Sequence, residues 1–172
     1  VWMGRREVRL LHLGAGHTRG DTVVWLPKEK ILFSGDLVEE GATPYCGDAY
    51  LAEWPHTLDK LKQLGARKLV PGRGEAMTTP RAAKRAIAAT QAFIRAMTGA
   101  IKAAVRGRKS LKQAFAATSA RLKPRFGKWV IFEHCLRLTI RSEGSSAIVT
   151  RPASVIFDSS RMRSSRVRRF FK

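Results

Sequence analysis

Three short stretches of this chain set a polar side chain among glycines at the end of an apolar run. The first is Gly14-Ala15-Gly16-His17-Thr18-Arg19-Gly20-Asp21. Glycine turns let an imidazole project from a sheet edge, and a histidine beside a carboxylate is a donor pair suited to gripping a metal ion. Asp21 and Thr18 belong to the residue types that accept from backbone N–H groups and hold such a loop in shape. The same loop also suits a hydrogen-bonded surface histidine. The second stretch is Ser34-Gly35-Asp36, fifteen residues beyond Asp21. A carboxylate at a strand end ligates one cation or bridges two; as a plain turn residue it caps backbone amides. The third is Val70-Pro71-Gly72-Arg73-Gly74. Three strand ends of this kind in succession are unusual for a sheet with a purely structural role.

The elements that must position these residues are readable around them. Val8–Leu13 is an apolar strand candidate leading into the His17 loop. Thr22–Leu26 and Ile31–Phe33, separated by Pro27 and the polar Lys28-Glu29-Lys30, read as a hairpin. Both runs are apolar at successive positions, which suits strands covered on two sides. Leu51, Trp54, Leu58, Leu61 and Leu64 recur at helical spacing, and Gly65 follows as a stop. Lys68–Val70 is a last short strand, running into the Arg73 turn. Thr79-Pro80 opens a helix, with threonine as cap and proline in the first turn. An alanine-rich helix with Ile87, Phe93 or Ile94, Met97 and Ile101 on one face continues to Val105. Ser110 caps a further helix to Pro124, and Trp129–Phe132 is an apolar segment expected to pack back on the domain. The elements predict an α/β chain: residues 1–75 strand-rich and 76–135 helical.

The 172 residues carry a net charge of +20, and the charge is unevenly placed. Ten of the thirteen acids lie in residues 1–75, and none occurs between Glu75 and Glu133. Such a balance signals attraction to nucleic acid or another anionic surface, here through the basic helices and tail. Aromatic residues are not interleaved with the charges as they are in base-stacking platforms. No apolar run reaches the roughly 18 residues of a membrane span. Cys46 and Cys135 form no CxxC pair and read as two thiols of a reducing, cytoplasmic compartment. Residues 136–172 are Ser- and Arg-rich without helical or strand period, with two acids against nine basic residues. They are expected to form a disordered basic tail. Two origins fit that break in composition, a solvated tail for anionic partners and a shifted reading frame after Cys135, of which we favour the second.

The order Gly-His-Thr-x-Gly-Asp, then Phe-Ser-Gly-Asp, then a helix, then Val-Pro-Gly-x-Gly resembles the metallo-β-lactamase superfamily, over residues 7–75. The resemblance implies an αββα sandwich of two similar halves, of which residues 1–135 are the C-terminal one. It also implies one or two zinc ions at the sheet edge that activate water to hydrolyse a small ester, thioester, lactam or phosphoester. By the same resemblance His17 and Asp36 are metal ligands, Asp36 bridging, and Asp21 is a buried organiser of the His17 loop. The long Gly41–Tyr50 loop would lie at the site mouth.

Two departures bear on that expectation. The family has a histidine where this chain has Arg73, and a guanidinium has no lone pair for a metal. Arg73 is able instead to bind an anionic substrate group or to pair with a carboxylate such as Asp36. The family's His-x-His-x-Asp-His segment has no counterpart, since His12, His56 and His134 share no ligand spacing. Zinc in catalysis takes three protein groups, so the chain is expected to be an incomplete metal-dependent hydrolase, inactive alone. The alternatives are a basic nucleic-acid-binding module and a non-catalytic relative of the family.

Overall fold

The computed structural model describes residues 1–149, of which 142–149 as backbone only. Residues 150–172, most of the expected basic tail, lie outside the described residues. The chain opens with a small hairpin, β1 (Trp2–Met3) and β2 (Arg6–Glu7), turning at Gly4. A four-stranded mixed sheet follows, built from β3 (Arg9–Leu11), β4 (Val23–Leu26) and β5 (Ile31–Glu39), then α1 (Trp54–Gln63) and β6 (Lys68–Arg73). The strands lie in sequence order; β3–β4 and β4–β5 are antiparallel, and β6 joins β5 in parallel after the α1 crossover. Three helices complete the described residues: α2 (Pro80–Arg106), α3 (Leu111–Phe126) and α4 (Phe132–Val149). The α/β class expected from the elements is the class observed.

Register decides which side chains enter the core. Trp25, Leu32 and Leu69 face one another across β4, β5 and β6, all buried. They join Leu58 and Leu61 of α1 and Ile87, Phe93, Ile94 and Met97 of α2 in one apolar cluster. The opposite row, Leu10, Val24, Phe33 and Val70, is also in register. Leu10 is 61% and Phe33 41% exposed. The strands are therefore apolar on both faces, as expected, but among the described residues the second face is covered only in part.

The helix caps follow their sequence signals. Thr79 accepts from the Ala82 N–H, and Ser110 with Gln113 forms a reciprocal capping box. Pro124 falls inside the last turn of α3 rather than ending it.

The boundary placed after Cys135 is corrected. Residues 136–149 continue α4, and Leu136 and Ile140 are buried with Phe132 in the core cluster. Phe132, Leu136 and Ile140 recur every four residues, a stripe that the Ser- and Arg-rich composition around them conceals. The Trp129–Phe132 segment is corrected in part. Trp129 stacks near Phe93 and Phe126 and Phe132 is buried, but Val130 and Ile131 are exposed. Its backbone pairs instead with the loop after β5, Thr43 N–H donating to Val130 O and Val130 N–H to Gly41 O.

Candidate functional site

The three glycine-framed residues converge on one rim. His17 stands in the loop between β3 and β4, and its shape is set by Asp21. The Asp21 carboxylate accepts from the Thr18 backbone N–H at 3.0 Å and from the Thr18 hydroxyl at 2.6 Å. Asp21 is partly exposed, which corrects its expected burial. The loop is also held from α1, where Thr57 Oγ1 donates to Ala15 O at 2.6 Å and Lys60 Nζ to Leu13 O at 2.8 Å. A Cβ on Gly16 would run into the Leu37 side chain and approach Asp21 and Trp54 to 3.0 Å each, so only glycine lets the loop lie this close to the sheet. The His17 ring meets Trp54 edge-on at 5.9 Å between centroids, with Tyr45 at 6.5 Å.

Asp36 lies inside β5 rather than at its end, a second correction. The β5–β6 pairing slips between Phe33 and Gly35 and again between Gly35 and Glu39, with Gly35 in the left-handed region. This irregularity turns Asp36 towards the rim, where Oδ2 lies 3.9 Å from His17 Nδ1. Its other oxygen, Oδ1, lies 3.7 Å from Arg73 Nη1. Gly72 makes the approach possible, because a Cβ there would collide with the Asp36 carboxylate and the Gly35 backbone.

Arg73 ends β6 opposite Glu39, and its Nη1 donates to Glu39 Oε1. Glu39 is the residue that sequence reasoning missed. Its side chain is fully buried and Oε2 has no hydrogen-bond partner. Its backbone is clamped from α2: Glu39 N–H donates to Thr90 Oγ1 at 3.3 Å, and the Thr90 hydroxyl donates to Glu39 O at 3.1 Å. Burial pushes the Glu39 carboxyl up to about 7, with Arg73 pulling it down and Asp36 raising it further. The local signal was slight, a charged residue closing the apolar run Leu37-Val38 and followed by Glu40-Gly41.

The remaining candidates stay apart. His12 follows β3 rather than lying within it, and its Nδ1 is 2.9 Å from Asp21 O. His56 and His134 are exposed on α1 and α4. Cys46 and Cys135 are buried and form no disulfide. No group of three His, Cys, Asp or Glu side chains among the described residues is placed to hold a metal. His17 and Asp36 are two donors where catalytic zinc takes three, and the third position of the rim is filled by a cation. The residues present do not fit zinc.

The comparisons with known proteins coincide with this rim. A family model described as the metallo-beta-lactamase superfamily matches residues 3–73. The metallo-beta-lactamase type 2 of Bacteroides fragilis is 44% identical over 69 residues, covering 37% of this chain and 28% of that protein. That of Bacillus cereus is 40% identical over 77 residues, covering 42% of this chain and 30% of that protein. A solved metallo-beta-lactamase from Pontibacter korlensis is 29% identical with a TM-score of 0.48, covering 55% of this chain and 44% of the other. The chain spans under a third of the length of these curated relatives.

Proposed function

We propose, from the membership of residues 3–73 in the metallo-β-lactamase superfamily, that this chain forms one wall of a hydrolase site of that type and does not hydrolyse alone. One observation carries the reading: His17, Asp36 and Arg73 meet on one rim, and the third of them cannot donate to a metal. Zinc in a complete site would supply a water acidified towards about pH 7. Here the donors for it would have to come from beyond the described residues. What this chain's own groups do is positional. Asp21 and Thr18 hold the His17 loop, Trp54 and Tyr45 wall the imidazole, and Arg73 neutralises charge beside Asp36. The names of the relatives make a lactam the first substrate class to test, ahead of esters, thioesters and phosphoesters. The cytoplasm is the compartment we assign to it.

The test is a chromogenic lactam assay of the full chain with added zinc. We expect no turnover above the uncatalysed rate, with His17→Ala identical to wild type. Zinc-dependent turnover that a chelator and His17→Ala both abolish would overturn the reading.

A further inference from the structure

Around Asp36 the rim divides its work between two neighbours. One carboxylate oxygen faces His17 Nδ1 and the other faces Arg73 Nη1, at 3.9 and 3.7 Å. A metal shared by His17 and Asp36 would lie about 2.0–2.2 Å from each donor. It would therefore stand within a few ångströms of the Arg73 guanidinium, a cationic group with no lone pair to give it. Swinging Arg73 away is opposed by Glu39. That carboxylate is fully buried, Arg73 is the partner of its Oε1, and its Oε2 already has none. Glu39 is itself fixed, since Thr90 of α2 binds both its backbone N–H and its carbonyl. Arg73 is 48% exposed along its side chain, yet its head is tethered inward rather than free in solvent.

From this geometry we infer that Arg73, anchored by Glu39, is the resident cation of the rim and keeps divalent metal off the His17–Asp36 pair. The inference rests on the reading of this rim as a metallo-β-lactamase-type wall and adds what sits there in place of a metal. Two effects act together: the guanidinium repels an incoming dication at close range, and it occupies the position from which a third donor would reach the metal.

Zinc titration of the full chain by calorimetry tests this, with folding followed by circular dichroism. Arg73→His removes the fixed charge and adds a donor, and should bind one zinc more than about 100-fold tighter than wild type. Adding His17→Ala to that variant should erase the gain, which separates the rim from zinc taken up elsewhere. Arg73→Lys keeps the charge and should bind as weakly as wild type. If Arg73→His alone does not fold, Glu39→Gln/Arg73→His removes the buried charge together with its partner and should show the same gain. Wild type that already binds one zinc through His17 as tightly as Arg73→His overturns the inference, as does a folded Arg73→His or double variant with no gain. Zinc bound by wild type without lactam hydrolysis would remove only this inference, whereas zinc-dependent hydrolysis by wild type would remove the half-site reading as well.

Discussion

Burial takes the Glu39 carboxyl out of water and shifts its titration into the neutral range, which links folding to pH with a definite sign. The folded-state value of about 7 lies above the ordinary 4.5. Between those two, the folded chain keeps a proton that the unfolded chain has released. Stability from this group is thus fully present below about pH 4.5 and is lost as pH rises through about 7. The loss is on the order of 3 kcal/mol across the window. Glu7, Glu29 and Asp59, held low chiefly by hydrogen bonds from Arg9, Arg6 and Gln91, act with the opposite sign, below this window. We expect the urea midpoint to fall from pH 5 to pH 8, and Glu39→Gln to flatten that slope. A variant retaining the wild-type slope would show that Glu39 is not its source. His17, Asp36 and Arg73 were legible in the sequence because glycines frame each of them within a few residues. Glu39 was not, because Thr90, whose hydroxyl holds its backbone, is fifty-one residues away on a helix that only the fold brings near.

Helix α4 puts the same question to a whole element. Leu136 and Ile140 are fully or almost fully buried beside Phe132. Truncating such a side chain to alanine costs about 2–5 kcal/mol through lost burial and the cavity left behind. Leu136→Ala and Ile140→Ala should each lower stability by about that amount in urea unfolding, whereas His134→Ala, on the exposed side of α4, should change it little. Neutral effects for both apolar variants would return residues 136–149 to the tail expected from composition. Elements with a strong period or a cap were legible: the β4–β5 hairpin, α1, α2 with its Thr79 cap, and α3 with its Ser110 cap. Those missed had weak local signals. The β1–β2 hairpin is two residues per strand, too short for alternation to show. The second half of β5 is irregular at Gly35, so the glycine that re-aims Asp36 read as the end of the strand. For α4, arginine and serine dominated the composition while three residues at a spacing of four made the contact.

At the scale of the molecule, the sheet carries an apolar row left partly open among the described residues. Leu10, Val24, Phe33 and Val70 are aligned across β3, β4, β5 and β6, with the first and third of them well exposed. Trp2 and Met3 of the leading hairpin are exposed as well. Contiguous apolar surface of this kind favours association. The net charge of +20 opposes it by repulsion between copies. The two forces respond differently to salt. The charge is screened over about 10 Å at 0.1 M and about 3 Å at 1 M, while burial of apolar area is not weakened by sulfate and similar salts. Self-association of the full chain should therefore strengthen as salt rises, the opposite of binding held by charge, which weakens with salt. Sedimentation velocity over a salt series measures this directly. Leu10→Lys/Phe33→Lys, which places two charges in the most exposed positions of the row, should return the chain to monomer at every salt concentration. A wild-type chain that stays monomeric in high salt, or association that salt dissolves, would mean that the open face of the sheet does not govern how the molecule meets its own kind.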